Sequence, residues 1–214
     1  METLSIPQIK TVVDDAWTLD FDPLRAHFEM LHELLCNVSV TSSHGEKFTS
    51  FIGVRKAIEI VRTAHSAAKK VVVIGNGGSA AIASHLALDL WNACGIKAVT
   101  FNEAAVLTCL SNDYGYENVF SKSLEMFAEA GDVLIAISSS GTSQNILNAA
   151  VEARRMGLKI ISFSGFSKQA PLVSRSDLNF YVDSDQYGCV EVAHMALTHY
   201  LTDVLHKTRN RVEK

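Results

Sequence analysis

The chain has 214 residues, 48% of them hydrophobic and 20% charged, with a formal net charge of −4. That length carries one full domain with a substantial core plus an appendage, and the acidic balance argues against a general polyanion-binding surface. Four scattered cysteines (Cys36, Cys94, Cys109, Cys189) lack any C-x-x-C spacing, so they suggest neither a zinc ribbon nor a disulfide framework, and most of them read as small buried hydrophobes.

The opening stretch METLSIPQIKTVVDDAW holds acidic residues and no long apolar run, unlike a signal peptide. No segment offers about 18 uninterrupted apolar residues for a membrane span. A cytoplasmic protein that binds neither nucleic acid nor membrane is the expectation. Residues 21–38 and 51–67 have the periodicity of amphipathic helices, with stripes at Leu24, Phe28, Leu31, Leu35 and at Ile52, Ala57, Ile60, Val61. The polar stretch 41–50 reads as a loop between them. These apolar stripes need a partner surface, either their own sheet or another subunit. Oligomerisation is the expected use, because the rest of the chain supplies helices for both faces of a sheet.

From residue 69 onward, strands and helices alternate. KKVVVIG (69–75) is a buried-strand run, followed by the helical SAAIASHLALDLWNA (79–93). KAVTF (97–101) is a second strand and GDVLIAIS (131–138) a third, followed by helix 143–157, whose last glycine is a plausible stop. KIISFSG (159–165) and DLNFYVD (177–183) are the fourth and fifth, and a long helix covers 190–208. Unalternating Val- and Ile-rich strands spaced by helices predict a doubly wound α/β domain with a five-stranded parallel sheet flanked by helices. The expected division is a helical extension over 1–49 and a ligand-binding domain over 50–214.

Two strand-to-helix junctions carry the chemistry. GNGGSA (75–80) places glycines where backbone N–H groups at a helix N-terminus bind anions. It also fits G-x-G-x-x-A, with Glu103 after the second strand where a ribose ligand would sit, so a dinucleotide site competes; the Walker pattern fails for want of Gly-Lys-Ser/Thr. The second junction, ISSSGTSQN (137–145), sets five hydroxyls in six positions around one glycine. Helix capping needs one of them; a bound phosphate accounts for the rest. Turns at the carboxyl ends of adjacent parallel strands are where such sheets bind ligands, and this pair suits a small phosphorylated polyol.

GNGGSA with His85 six residues after its serine, SNDYGYENVFS (111–121), ISSSGTSQN and EVAHMALTH (191–199) together resemble the SIS-domain (sugar isomerase) proteins over about residues 50–208. Within that family they look most like the phosphoheptose isomerases, which interconvert sedoheptulose 7-phosphate and D-glycero-D-manno-heptose 7-phosphate. The resemblance implies a homotetramer with active sites at subunit interfaces, a role in surface-polysaccharide heptose synthesis, and zinc as the usual ion. It implies that Ser138, Ser139, Ser140, Thr142 and Ser143 hold the phosphate. It also places Asn76, Gly77, Ser79, Asn112, Asp113 and Glu191 against the sugar, and His85, Asp89, Glu191 and His199 at metal-ligand and acid/base positions.

The residues speak to part of this independently. His85 and Asp89, at i and i+4, share one helix face about 6 Å apart along the axis. Glu191 and His199 lie about 80° apart around the helix and roughly 12 Å along it, a pair that would not on its own suggest a metal. His194 reads as a core histidine; His27, His32, His65 and His206 read as surface or structural. Aldose–ketose interconversion needs a base beside the carbonyl and an acid or metal for the enediolate oxygen, which makes Asp89 the candidate base and His199 its partner acid. Two positions depart from the family pattern: Asp89 stands where a glutamate is usual, and Glu191 where a neutral glutamine is. The alternative reading is therefore a non-catalytic relative, either one that binds a partner such as the replication initiator or one that senses a phosphosugar.

Overall fold

The computed structural model describes residues 22–209, so the readings made for residues 1–20 fall outside it. The chain begins with α1 (Pro23–Cys36), capped by the Asp22 side chain, which accepts from the Arg25 amide at 3.0 Å. A short hairpin of β1 (Ser39–Ser42) and β2 (Lys47–Phe48) follows, and then α2 (Ser50–Ser66). The α/β core runs β3 (Val71–Gly75), α3 (Gly77–Asn92), β4 (Ala98–Thr100), α4 (Ala104–Tyr114), a 3₁₀ turn (Tyr116–Asn118) and α5 (Val119–Phe127). It continues with β5 (Val133–Ser138), α6 (Gln144–Arg155), β6 (Lys159–Ser164), α7 (Pro171–Arg175), β7 (Leu178–Tyr181) and α8 (Tyr187–Arg209).

The strands form one sheet in the order β2-β1-β7-β6-β5-β3-β4. The five expected strands are parallel, and the hairpin adds two antiparallel ones at the β7 edge, with Val40 opposite Phe180. Residues 41–50 are thus not the polar loop expected from their composition, and the division expected after residue 49 separates a hairpin that belongs to the sheet. Thr41 and Lys47 pair across β1 and β2, and Ser42 closes the turn by accepting the His44 and Glu46 amides. Two- to four-residue strands hold too few residues for alternation to show; pairing to β7 makes them strands.

Alternate strand residues face two cores. Val71, Val73, Val133, Ile135 and Ile137 pack with α2, α3 and α8, and Val72, Ile74, Leu134 and Ala136 with α5, α6 and α7. Helix α2 buries Val54, Ala57, Ile58, Val61 and Ala64 within the chain, which accounts for Ala57 and Val61 of its expected stripe, while Ile60 is part-buried and Ile52 stays 42% exposed. Helix α1 differs: it buries no residue, and Leu24 and Phe28 stay 62% and 58% exposed. Among the described residues, no helix is long and apolar enough to cross a membrane.

Strand order reverses at β3, which has β4 on one side and β5 on the other. In doubly wound sheets a ligand crevice opens at this point, outside the carboxyl ends of the strands. The glycine turn leaves β3 there and the serine turn leaves β5.

Candidate active site

Backbone geometry makes the glycine turn. A Cβ on Gly75 would lie 2.5 Å from the Ser79 carbonyl oxygen, so only glycine lets helix α3 start this close to its strand. Gly77 follows with φ +53° and open space around it. Asn76 occupies the N-cap of α3 without capping it by its side chain, which leaves the first amides of a 16-residue helix facing the crevice.

The serine turn is built by its own hydroxyls. Gly141, at φ +63°, turns the chain, and its amide donates to Ser138 Oγ at 3.2 Å. Ser140 Oγ accepts from the Thr142 amide at 3.3 Å and from Thr142 Oγ1 at 3.1 Å. Ser143 is the N-cap of α6 but makes no side-chain capping bond, so the capping explanation for this serine does not hold. Ser139 is 4% exposed and its hydroxyl has no partner among the described residues. A buried hydroxyl left unpaired costs about 1–3 kcal/mol, which a bound acceptor would relieve.

Between the two turns lies a cavity of about 210 Å³, lined by Asn76, Gly77, Gly78, Ser79, Ile137, Ser138, Ser139, Ser140, Ser143, Tyr187 and Glu191. It brings together most of the expected phosphate and sugar residues. Thr142 stays outside the lining, exposed, and supports Ser140 instead. Asn112 and Asp113 also stay outside: they sit exposed near the end of α4, where the Asn112 amide donates to Asp113 Oδ1 at 2.9 Å and Cys109 Sγ donates to Asp113 Oδ2 at 3.6 Å. The lining of this cavity therefore does not include the two residues expected to contact the sugar from this segment. A larger groove of about 850 Å³ follows the β1–β2 hairpin and α7 but includes no candidate catalytic residue.

Helices α3 and α8 lie side by side and run in the same direction, since Gly78 meets Glu191 and, further on, His85 meets His199. At this second point His85 Nε2 is 3.4 Å and His199 Nδ1 3.6 Å from Asp89 Oδ2, and the two imidazole rings meet edge-on with centroids 4.8 Å apart. One ligand atom from each of the three lies within 4.8 Å of the other two. Tetrahedral zinc with ligands at ~2.0–2.1 Å separates its donors by about 3.3 Å, and two nitrogens with one carboxylate oxygen form an open, three-ligand set. The three residues fit such an ion.

Glu191, expected in both the sugar and the metal sets, stands with the cavity: a Cβ on Gly78 would lie 2.3 Å from its Oε2. Two helical turns separate it from His199, and its carboxylate turns toward the glycine turn. Gly78 leaves the space it occupies, a consequence of pairing that glycine spacing does not display. Tyr187 was likewise not anticipated, since it opens α8 ahead of the 190–208 span expected for that helix and belongs to no motif.

His194 is fully buried, as expected of a core histidine. Its Nε2 donates to the Ser164 carbonyl at 3.2 Å while Nδ1 has no partner among the described residues. Burial pushes its pKa down to about 4, the backbone bond opposing, so the ring is neutral near pH 7. Burial, aided by the Asp89 charge, raises the Cys94 thiol to about 11, and its Sγ donates to the Thr202 carbonyl at 3.5 Å; it is structural.

The sequence profile of the SIS domain matches residues 46–165, and the chain belongs to that family. Among curated proteins it is 35% identical over 158 residues to the phosphoheptose isomerase of Thermodesulfovibrio yellowstonii, covering 71% of this chain and 78% of that one. It is 32% identical over 185 residues to the phosphoheptose isomerase of Geotalea daltonii, covering 84% and 95%. The fold is similar to the solved phosphoheptose isomerase of Neisseria gonorrhoeae, with a TM-score of 0.75, 26% identity, and 86% and 97% of the two chains covered.

Proposed function

We propose that this chain is a sugar-phosphate isomerase that interconverts sedoheptulose 7-phosphate and D-glycero-D-manno-heptose 7-phosphate. One observation carries the reading: an anion cavity and an acid/base cluster lie along the same seam between α3 and α8, about eight residues or ~12 Å apart by helical rise. That separation suits an extended sugar phosphate, with its phosphate in the serine turn and its carbonyl end near Asp89. The substrate of the similar proteins fits this span.

Ser138, Ser139, Ser140 and Ser143 hold the phosphate, aided by the N-terminal dipole of α6. The first amides of α3, Ser79 and Glu191 hold the hydroxyls of the chain. Asp89 takes the proton from the carbon beside the carbonyl and returns it to the neighbouring carbon. His199 gives a proton to the carbonyl oxygen and recovers one from the adjacent hydroxyl, so the net change is a shift of the carbonyl by one carbon. His85, Asp89 and His199 would hold a zinc ion, which when bound polarises oxygen and stabilises negative charge there.

The cluster is partly open: His85 and His199 side chains are 45% and 48% exposed. Leu88, Trp91 and Tyr200, on the same two helices, also stay exposed. Proton abstraction needs a closed site, and coverage by other copies in a homotetramer would supply it, α1 contributing its exposed Leu24 and Phe28. A cytoplasmic role in heptose supply for surface polysaccharide accompanies this reading.

The test is incubation with sedoheptulose 7-phosphate, following aldose formation with and without chelator, alongside elemental analysis of metal-replete protein. Turnover that chelation abolishes and zinc restores is the expected result. No turnover of seven- or six-carbon ketose phosphates would overturn the reading.

A further inference from the structure

The segment SNDYGYENVF contributes neither Asn112 nor Asp113 to the cavity, yet it reaches the site by another route. Tyr116 donates its hydroxyl to Asn76 Oδ1 at 2.9 Å. Asn76 in turn pairs with Asn145 through two bonds, each side-chain amide donating to the other's oxygen at 2.9 Å. Asn145 is 2% exposed, and its Oδ1 also accepts from the Ile146 amide at 2.9 Å. Asn76 lies in the glycine turn, and Asn145 two residues beyond Ser143 of the serine turn.

We propose that Asn145 is a positioning residue that sets the spacing of the glycine turn relative to the serine turn, with Tyr116 as a second arm of the same clamp. The proposal rests on the isomerase reading for its catalytic consequence. Asn76 is an N-cap with no side-chain capping bond, and Asn145 Oδ1 serves both the Asn76 amide and the Ile146 amide in the first turn of α6, whose N-cap Ser143 makes no side-chain capping bond. A single hydrogen bond leaves a pair free to rotate, whereas two antiparallel amide bonds fix distance and orientation together. Tyr116 is itself anchored. The Asn148 side-chain amide, on α6, donates to the Glu117 carbonyl at 2.9 Å and to Asn118 Oδ1 at 3.2 Å, which ties the 3₁₀ turn to the helix that carries Asn145.

The clamp therefore joins three chain segments at the mouth of one cavity. The serine turn keeps its internal bonds without it, so phosphate affinity and reaction geometry separate. A displacement of about 1 Å between turns can cost ~100-fold in rate without altering either turn alone.

The experiment compares Asn145→Ala, Tyr116→Phe and the double variant by kcat and KM for sedoheptulose 7-phosphate, by the Kd of inorganic phosphate, and by amide hydrogen exchange across residues 75–80. The expected result is a kcat lower by about 100-fold in Asn145→Ala and about fivefold in Tyr116→Phe, with phosphate Kd within twofold of the parent. The tyrosine substitution should cost less in the Asn145→Ala background than alone, as members of one unit do. Exchange in the glycine turn should speed by at least tenfold in both single variants. Parent-like kcat in Asn145→Ala, or a loss carried wholly by phosphate affinity, overturns the proposal. If Asn145→Ala does not fold, parent-like kcat and exchange in Tyr116→Phe overturn it. A parent chain that turns over no ketose phosphate removes the isomerase reading alone, and unchanged glycine-turn exchange in both variants then sinks the clamp.

Discussion

Asp89 on α3 bridges His85 on its own helix and His199 on α8, its Oδ2 lying 3.4 Å and 3.6 Å from the two imidazoles. The contact to His85 is local, one helical turn away; the contact to His199 crosses the α3–α8 seam. Replacing Asp89 by Asn keeps the volume and removes the base of the proposed reaction. We expect kcat to fall by a factor of at least ~100, within the usual range for a lost general base, with little change in Tm because the side chain is partly exposed. Steady-state kinetics beside a thermal melt checks this, and zinc content measured on the same samples should fall too.

Ser139 separates binding from stability. Its buried hydroxyl lacks a partner, so Ser139→Ala should leave Tm unchanged or raise it slightly. KM should nevertheless rise about tenfold, as should the inhibition constant of inorganic phosphate. A drop in Tm without any change in phosphate inhibition would make the hydroxyl structural.

Gly78 and Glu191 share one space. The group that a new methyl would meet is the end of a flexible side chain, so Gly78→Ala should cost less than about 1 kcal/mol in denaturant unfolding. The displaced carboxylate would enter the cavity, and KM should rise several-fold. Adding Glu191→Ala to that variant should cancel most of the rise, which a double-mutant cycle on KM would read.

The pH dependence of stability follows from His194. Its folded pKa of about 4 lies below the ordinary 6.5, so the unfolded chain binds the proton first as pH falls. The stability tied to the neutral ring is therefore complete above about pH 6.5 and is lost progressively down to pH 4, by about 3 kcal/mol at most. Urea unfolding at several pH values should show this slope, and His194→Gln should flatten it. An equally steep slope in that variant would assign the acid sensitivity to other groups.

Much of this molecule is legible from local pattern. Runs such as VVVIG and VLIAIS are buried on both faces, so they announce parallel strands without any partner in view. The i, i+4 spacing of His85 and Asp89 likewise forms one face of one helix. The hairpin at 39–48 escaped because strands this short take their identity from the edge of β7. Residues 104–114 received no element because α4 buries no side chain and so carries no stripe to read, whereas α5 buries Val119, Phe120 and Leu124 but spans only nine residues, too short for the period to stand out.

What local spacing could not decide was which side chains meet across the seam. Glu191 and His199 lie eight residues apart on α8, yet one lines the cavity and the other meets His85 and Asp89, because each answers to a different point along α3. Asn76, read as a sugar contact, is held by Asn145 from 69 residues away. Periodicity encodes the faces that individual elements bury, since that depends on neighbours within a turn or two. The pairing of those faces depends on sheet order and helix alignment, which place residues far apart in sequence within hydrogen-bond reach, and that alignment brings the side chains of the candidate site together.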